Sequence, residues 1–173
     1  MDPKLASVEN DAGESPLYLA ARGGMFEILN QILKSTASSA HGGSDGQTTL
    51  HAAVIEKHFE GHSPIHVAAN KGHTSVIREI IRHCPDLGEI CDIYGQNALH
   101  MAIVGGQANV ARYILETPEL ECLINQPDVN GNTPLHLATM ERKTWIVYYL
   151  MWDGRVHQSS KNKCGQAAFD IDR

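Results

Sequence analysis

The sequence predicts an all-α solenoid of stacked helix-turn-helix units, and three observations carry that prediction. A short box, Gly-x-[Ser/Thr/Asn/Ala]-x-[Leu/Ile/Phe], recurs at Gly13, Gly46, Gly61, Gly95, Gly131 and Gly165, at steps of 33, 15, 34, 36 and 34 residues. Four of the boxes are followed by an apolar signature at positions i, i+1, i+4 and i+5, which lie on one face of an α-helix. Between box and signature runs a glycine-containing turn such as "NKGH" or "VGGQ". Self-similarity at this period marks an array in which each unit buries its apolar face only against its neighbours. At 173 residues, 42% of them hydrophobic, the chain can bury the core of such an array.

The units follow in order. Residues 1–10 are expected as a disordered segment, and the first unit, 11–44, joins "SPLYLAA" to Ile28, Leu29, Ile32 and Leu33. A truncated unit, 45–60, has the box "GQTTLHAAV" and no second signature. Three complete units, 61–93, 94–129 and 130–163, carry Val76/Ile77/Ile80/Ile81, Val110/Ala111/Ile114/Leu115 and Ile146/Val147/Leu150/Met151. Residues 164–173, with the decayed box "GQAAFDI", are a partial cap. Within a box, Ser or Thr before Pro caps the helix, and Pro in the first turn removes an amide that has no intrahelical partner. Small residues such as Ala68, Ala102 and Ala138 let neighbouring units approach closely, and Asn130-Gly131 has hairpin-turn chemistry.

The box "TPLHLAT" and its in-phase variants "SPIHVAA" and "NALHMAI" resemble the ankyrin-repeat family over nearly the whole chain, which implies an ankyrin-repeat solenoid. More narrowly, residues 11–173, except at the short step, are similar to the ankyrin region of plant accelerated-cell-death-type proteins, most clearly in "GHSPIHVAANKGHTSVIREIIRHCPD", "DIYGQNALHMAIVGGQANVARYILE" and "LINQPDVNGNTPLHLATMERKTWIVYYL". That resemblance implies defence or cell-death signalling and a cytosolic array preceding a C-terminal membrane domain. The chain would then be a fragment or short isoform, cytoplasmic or the cytosolic part of a membrane protein.

Composition narrows the function classes. The net charge of -6 leaves no face-wide basic field, so nucleic acid is not an expected partner. The longest strongly apolar run, Trp145 to Trp152, falls well short of the roughly 20 residues that cross a bilayer. No signal-peptide core stands at the N-terminus, and the four cysteines form no C-x-x-C pair and read as free thiols. His51, His66, His100 and His136 occupy one box position in successive units; helices ~8–10 Å apart cannot bring them onto one metal, so they are expected to bond backbone in the connecting turns.

Other motifs fail on geometry. "HFEGH" (His58 to His62) has its Glu third, with Gly61 and Pro64 disrupting the helix a metalloprotease site requires. "GGSDG" (Gly42 to Gly46) follows a Ser-rich loop instead of the buried strand of a nucleophile elbow. "DVNGNT" puts Thr133 where a calcium loop needs Gly, and reads as a hairpin tip. Neither an enzyme, a metal site nor a cofactor is expected.

Protein binding remains, through hairpin tips and the concave side of the inner helices. The tips offer Tyr94, Gln96, Val129 and Asn130. The inner helices offer Val67, Asn70, Lys71, Met101, Val104, Leu137, Met140 and Glu141. The helix carrying Trp145, Tyr148, Tyr149 and Trp152 is apolar nearly all round, so residues 145–152 offer a route to self-association, with 153–173 covering them only in part. An alternative is an incomplete array that only competes with a full-length relative.

The 15-residue step constrains the stack. A helix over 51–60 is ~15 Å long, while Glu60 to Ser63 reaches at most ~11 Å. Residues 46–60 are therefore expected to turn back or fray, interrupting the stack at Gly61, with regular stacking from Gly61 to Arg173.

Overall fold

A computed structural model of the chain describes residues 10–11, 14–37, 61–83 and 85–171. Among them stand eight α-helices: α1 (Pro16–Gly23), α2 (Phe26–Ala37), α3 (Pro64–Lys71), α4 (Thr74–His83), α5 (Ala98–Val104), α6 (Ala108–Glu116), α7 (Pro134–Met140) and α8 (Thr144–Trp152). Short 3-10 turns at Pro85–Glu89, Pro118–Leu123 and Ala168–Asp170 complete the described elements. The expectations for residues 1–9 and for the truncated segment 45–60 lie outside the described residues.

Each odd-numbered helix begins at the box. Ser15 caps α1 by accepting a hydrogen bond from the Tyr18 amide at 3.2 Å, and Asn97 caps α5 through the Leu99 and His100 amides at 2.9 and 3.1 Å. Pro opens α1, α3 and α7, where its fixed φ suits the helix and its missing N–H costs nothing. The turn to the second helix needs a left-handed residue: Gly24, Gly72 and Gly106 have φ of 65, 82 and 68°, and Arg142 takes the same place at 53°.

Two layers result. The first helices α1, α3, α5 and α7 pack side by side in one layer, and α2, α4, α6 and α8 in the other. Leu17, Ile65, Leu99 and Leu135, the same box position in four units, are buried, as are Ala20, Ala68, Ala102 and Ala138 three residues on. Ile32, Ile80, Ile114 and Leu150 repeat the pattern in the second layer. Each such Leu or Ile side chain removed from water contributes ~1.5–3 kcal/mol, through contacts both within its unit and with the neighbouring one.

From Gly61 onward the described helices stack regularly, as expected, and the expectation that residues 46–60 turn back or fray lies outside the described residues. Helix α1 packs directly on α3, and α2 on α4, so spatial neighbours have boxes at Gly13 and Gly61, 48 positions apart in the sequence. The inter-unit contacts are of one kind on both sides of the join. The His73 ring lies 3.2 Å from the Arg22 carbonyl, just as the Gln107 amide donates to the Asn70 carbonyl at 3.1 Å. Among the described residues, the first unit takes the place next to the third box.

The closest approach in the first layer occurs at Gly105, where a Cβ would sit 2.1 Å from the Asn70 carbonyl oxygen. Its φ of -71° is open to any residue, so backbone strain is not the reason for glycine. Alanine normally gains about 1 kcal/mol over glycine in a helix. At this position the overpacking penalty of about 1–3 kcal/mol is larger, and Gly105→Ala is expected to lower the urea midpoint instead of raising it.

Candidate protein-interaction surface

The hairpin tips are built on one side chain. The Asp92 carboxylate accepts from the Tyr94 and Gln96 amides, each at 2.8 Å, and Asp128 accepts from Asn130 and Asn132, again at 2.8 Å. Asn162 does the same for Cys164 and Gln166 at 3.0 Å. Each is an Asx turn that fixes four following residues, and it leaves the two after the acid pointing away from the stack. Successive tips are also tied together: Val129 N–H donates to the Tyr94 carbonyl at 2.9 Å and Lys163 N–H to that of Asn130 at 3.0 Å.

The box histidines hold tips to helices. His66 Nδ1 accepts from the Ser63 amide at 3.1 Å, so the proton sits on Nε2, 3.0 Å from the Gln96 carbonyl of the next tip. His100 spans Asn97 and Asn132 in this way at 3.3 and 3.3 Å, and His136 spans Thr133 and Gln166 at 3.2 and 3.1 Å. Burial holds His66 down to about 4, against the weaker pull of Asp92 and of the Gln96 carbonyl. His100 is lowered for the same first reason. His66 and His100 are neutral struts, and His136 makes the same pair of contacts, so the three hold backbone in the tips as expected from the sequence.

The sequence-derived residues fall into two groups. Tyr94, Val129 and Asn130 on the tips, and Lys71, Val104, Met140 and Glu141 on the first-layer helices, are exposed, with Asn70 half-buried. They form two parallel stripes: Asn70, Val104 and Met140 share one helix position, while the tips stand alongside. Val67, Met101 and Leu137 are 7, 6 and 8% exposed and offer little to a partner, because each is covered by the adjacent first-layer helix. The side chain of Gln96 is half-buried and its backbone is committed to the turn. Ile93 is exposed beside Tyr94 and was missed; its alignment with Val129, both directly after the turn acid, is the signal that marks it.

Trp152 lies on the other layer. Within α8, Ile146 and Leu150 are buried while Trp145, Tyr148, Met151 and Trp152 are exposed. The C-terminal tail packs its Ala168–Asp170 turn chiefly on α7, leaving the aromatic side of α8 open. Of the dismissed motifs, "DVNGNT" is the Asp128 turn; "GGSDG" and most of "HFEGH" lie outside the described residues. No cluster of His, Cys, Asp or Glu among the described residues could hold a metal ion, and no helix among them is long and apolar enough to cross a membrane. Cys122 and Cys164 are free thiols, and Cys84 lies outside the described residues.

Comparison with known proteins agrees with this architecture. Residues 65–162 match the family profile described as ankyrin repeats in three copies. Across 94% of the chain, the sequence is 24% identical to the nuclear factor NF-kappa-B p105 subunit of Rattus norvegicus. It is 34% identical to alpha-latrotoxin-Lg1a of Latrodectus geometricus over 65% of the chain. An ankyrin repeat-containing protein of Arabidopsis thaliana is 29% identical over 51% of it. The chain spans only 16%, 10% and 14% of the lengths of these three relatives.

Proposed function

The chain belongs to the ankyrin-repeat family, a family of protein-interaction modules, and we propose that it binds a partner protein along the stripe formed by its hairpin tips and first-layer helices. The observation that carries this is the pairing of rigidity with exposed apolar area. Asx turns and inter-tip hydrogen bonds hold the backbone of Ile93, Tyr94 and Val129 in place with little backbone entropy left to lose, and Val104 and Met140 continue the surface. Tyr supplies rigid amphipathic contact and Met adaptable apolar contact, both favoured at binding surfaces.

The array is competent in this reading, and not merely a competitor of a full-length relative, because the first unit and the unit opening at Gly61 pack directly on each other. As its setting we propose plant defence or cell-death signalling in the cytoplasm. The box sequences support that reading, together with an Arabidopsis protein among the relatives. Immobilised chain incubated with plant extract should capture a defined set of proteins, and Tyr94→Ala with Met140→Ala should reduce that capture at least tenfold, the scale of two hot-spot losses of about 1 kcal/mol or more each. Equal capture by wild type and variant would place the binding surface elsewhere.

A further inference from the structure

The solvent-facing side of α8 differs in kind from the same side of the other second-layer helices. Positions occupied by Ser75, Arg78 and Arg82 in α4, and by Asn109, Arg112 and Glu116 in α6, are Trp145, Tyr148 and Trp152 in α8. The first two sets are polar because nothing further packs on them. Trp145 and Trp152 are 71 and 76% exposed, more than stacking or capping requires. This is a patch on the outer layer, away from the partner stripe on the first layer.

The patch has an internal symmetry. From Trp145 to Trp152 the chain reads aromatic, two aliphatic, two aromatic, two aliphatic, aromatic, counting Met151 as aliphatic, and is the same class by class in either direction about the Tyr148–Tyr149 bond. Trp145 and Trp152, seven residues apart, project from one face ~10.5 Å apart, with Tyr148 between them and its ring centroid 5.8 Å from that of Trp152. Such a surface complements itself under a two-fold rotation, where residue i meets j and j meets i. Opposed copies also oppose their helix dipoles.

We propose that α8 is an isologous homodimer interface, in which two copies of the helix lie antiparallel with Trp145 against Trp152 of the second copy and Tyr148 against its Tyr149. Covering the exposed parts of Trp145, Tyr148, Met151 and Trp152 removes roughly 500 Å² per copy, taking up to ~250 Å² for a whole Trp. The pair thus reaches the ~1,000 Å² at which specific association begins. The dimer is therefore weak, and it leaves the tips and first-layer helices of both copies free for partners.

Sedimentation velocity of the full chain over about 1 µM to 1 mM, the span open to an interface of this size, should show the mass rising from 18.9 kDa toward twice that value and stopping there. Trp152→Glu, at an exposed position with an unchanged circular-dichroism spectrum, should stay at 18.9 kDa throughout. Trp145→Ala and Trp152→Ala should weaken association by similar factors of at least tenfold, because each Trp faces the other across the axis. A monomer at the top concentration, growth beyond two copies, or unequal Trp effects would each overturn the proposal. So would a chain that remains monomeric yet pellets through Trp152 with phosphatidylcholine–phosphatidylserine vesicles. Since Tyr94→Ala with Met140→Ala leaves α8 intact, that variant should dimerise normally, and failure of either surface is distinguishable from failure of the other.

Discussion

Lowering the pH from 7 to 4 is expected to remove about 3 kcal/mol of folding stability through His66 alone, the free-energy equivalent of a pKa held near 4 in the fold against ~6.5 in the unfolded chain. Between those two values the unfolded chain binds a proton that the folded one refuses. Stability therefore falls as pH falls through the window from 6.5 to 4, and is independent of this group above it. Burial is the main cause; in addition, protonated Nδ1 could no longer accept from the Ser63 amide, and only Ser63 Oγ, 2.8 Å away, could take its proton. His100 adds a loss of the same sign, since burial lowers it and the Asn97 amide occupies its Nδ1. Asp153, held low chiefly by its hydrogen bond from Arg155, loses its contribution only at more acid pH. Urea midpoints measured at pH 7, 6, 5 and 4.5 check the slope, and a proton NMR titration of the His66 ring checks its origin. A flat midpoint across that range, or a His66 ring that titrates near 6.5, would rule out the neutral-strut account.

The ladder was legible in the sequence because its causes are local and periodic. Four histidines at one box position, each three residues after a capping residue, imply a common backbone partner, and for the three described, His66, His100 and His136, the hairpin tips supply it. The same reading placed the exposed tip residues and the second-layer apolar faces. It went astray where the deciding contact comes from another unit. Val67, Met101 and Leu137 look free on a single helix, but the stack buries them. Gly105 looks like a helix-weakening residue until the Asn70 carbonyl is found where its side chain would be. Which earlier unit meets the one at Gly61 could not be read, because loop length limits where a chain can go next without deciding which earlier unit it meets. In an array, sequence specifies the unit and its faces; the order of neighbours is settled by which faces find each other.

Removing the Asp128 carboxylate is the other change with a large expected effect, and it joins the fold to the binding surface. Asp128 is buried; one oxygen accepts from the Asn130 and Asn132 amides, and the other lies 3.3 Å from the Asn132 side-chain amide. Asp128→Ala strands two backbone donors in a turn that water reaches poorly, at about 1–3 kcal/mol each, so a loss of about 3 kcal/mol is expected. That corresponds to a fall of roughly 6–12 °C in Tm for a chain of this size. Asp128→Asn should cost about 1 kcal/mol or less, because the acceptor that makes the turn is an oxygen, not a charge. The array already contains that experiment, for Asn162 makes the same two bonds at the next tip. The effect should also travel. The Asn132 carbonyl is the acceptor for His100, Asn132 Oδ1 accepts from the Asn162 side chain at 3.0 Å, and the Asn130 carbonyl holds Lys163. Loosening this one turn therefore weakens both inter-unit junctions it touches, and hydrogen exchange in Asp128→Ala should accelerate in α5 and α7 as well as in the tip. Partner capture should fall with it, since Val129 and Asn130 lose their fixed positions while remaining chemically unchanged. If Asp128→Ala and Asp128→Asn proved equally stable, the Asx turn would not be what holds the tips, and the rigidity that favours binding there would need another source.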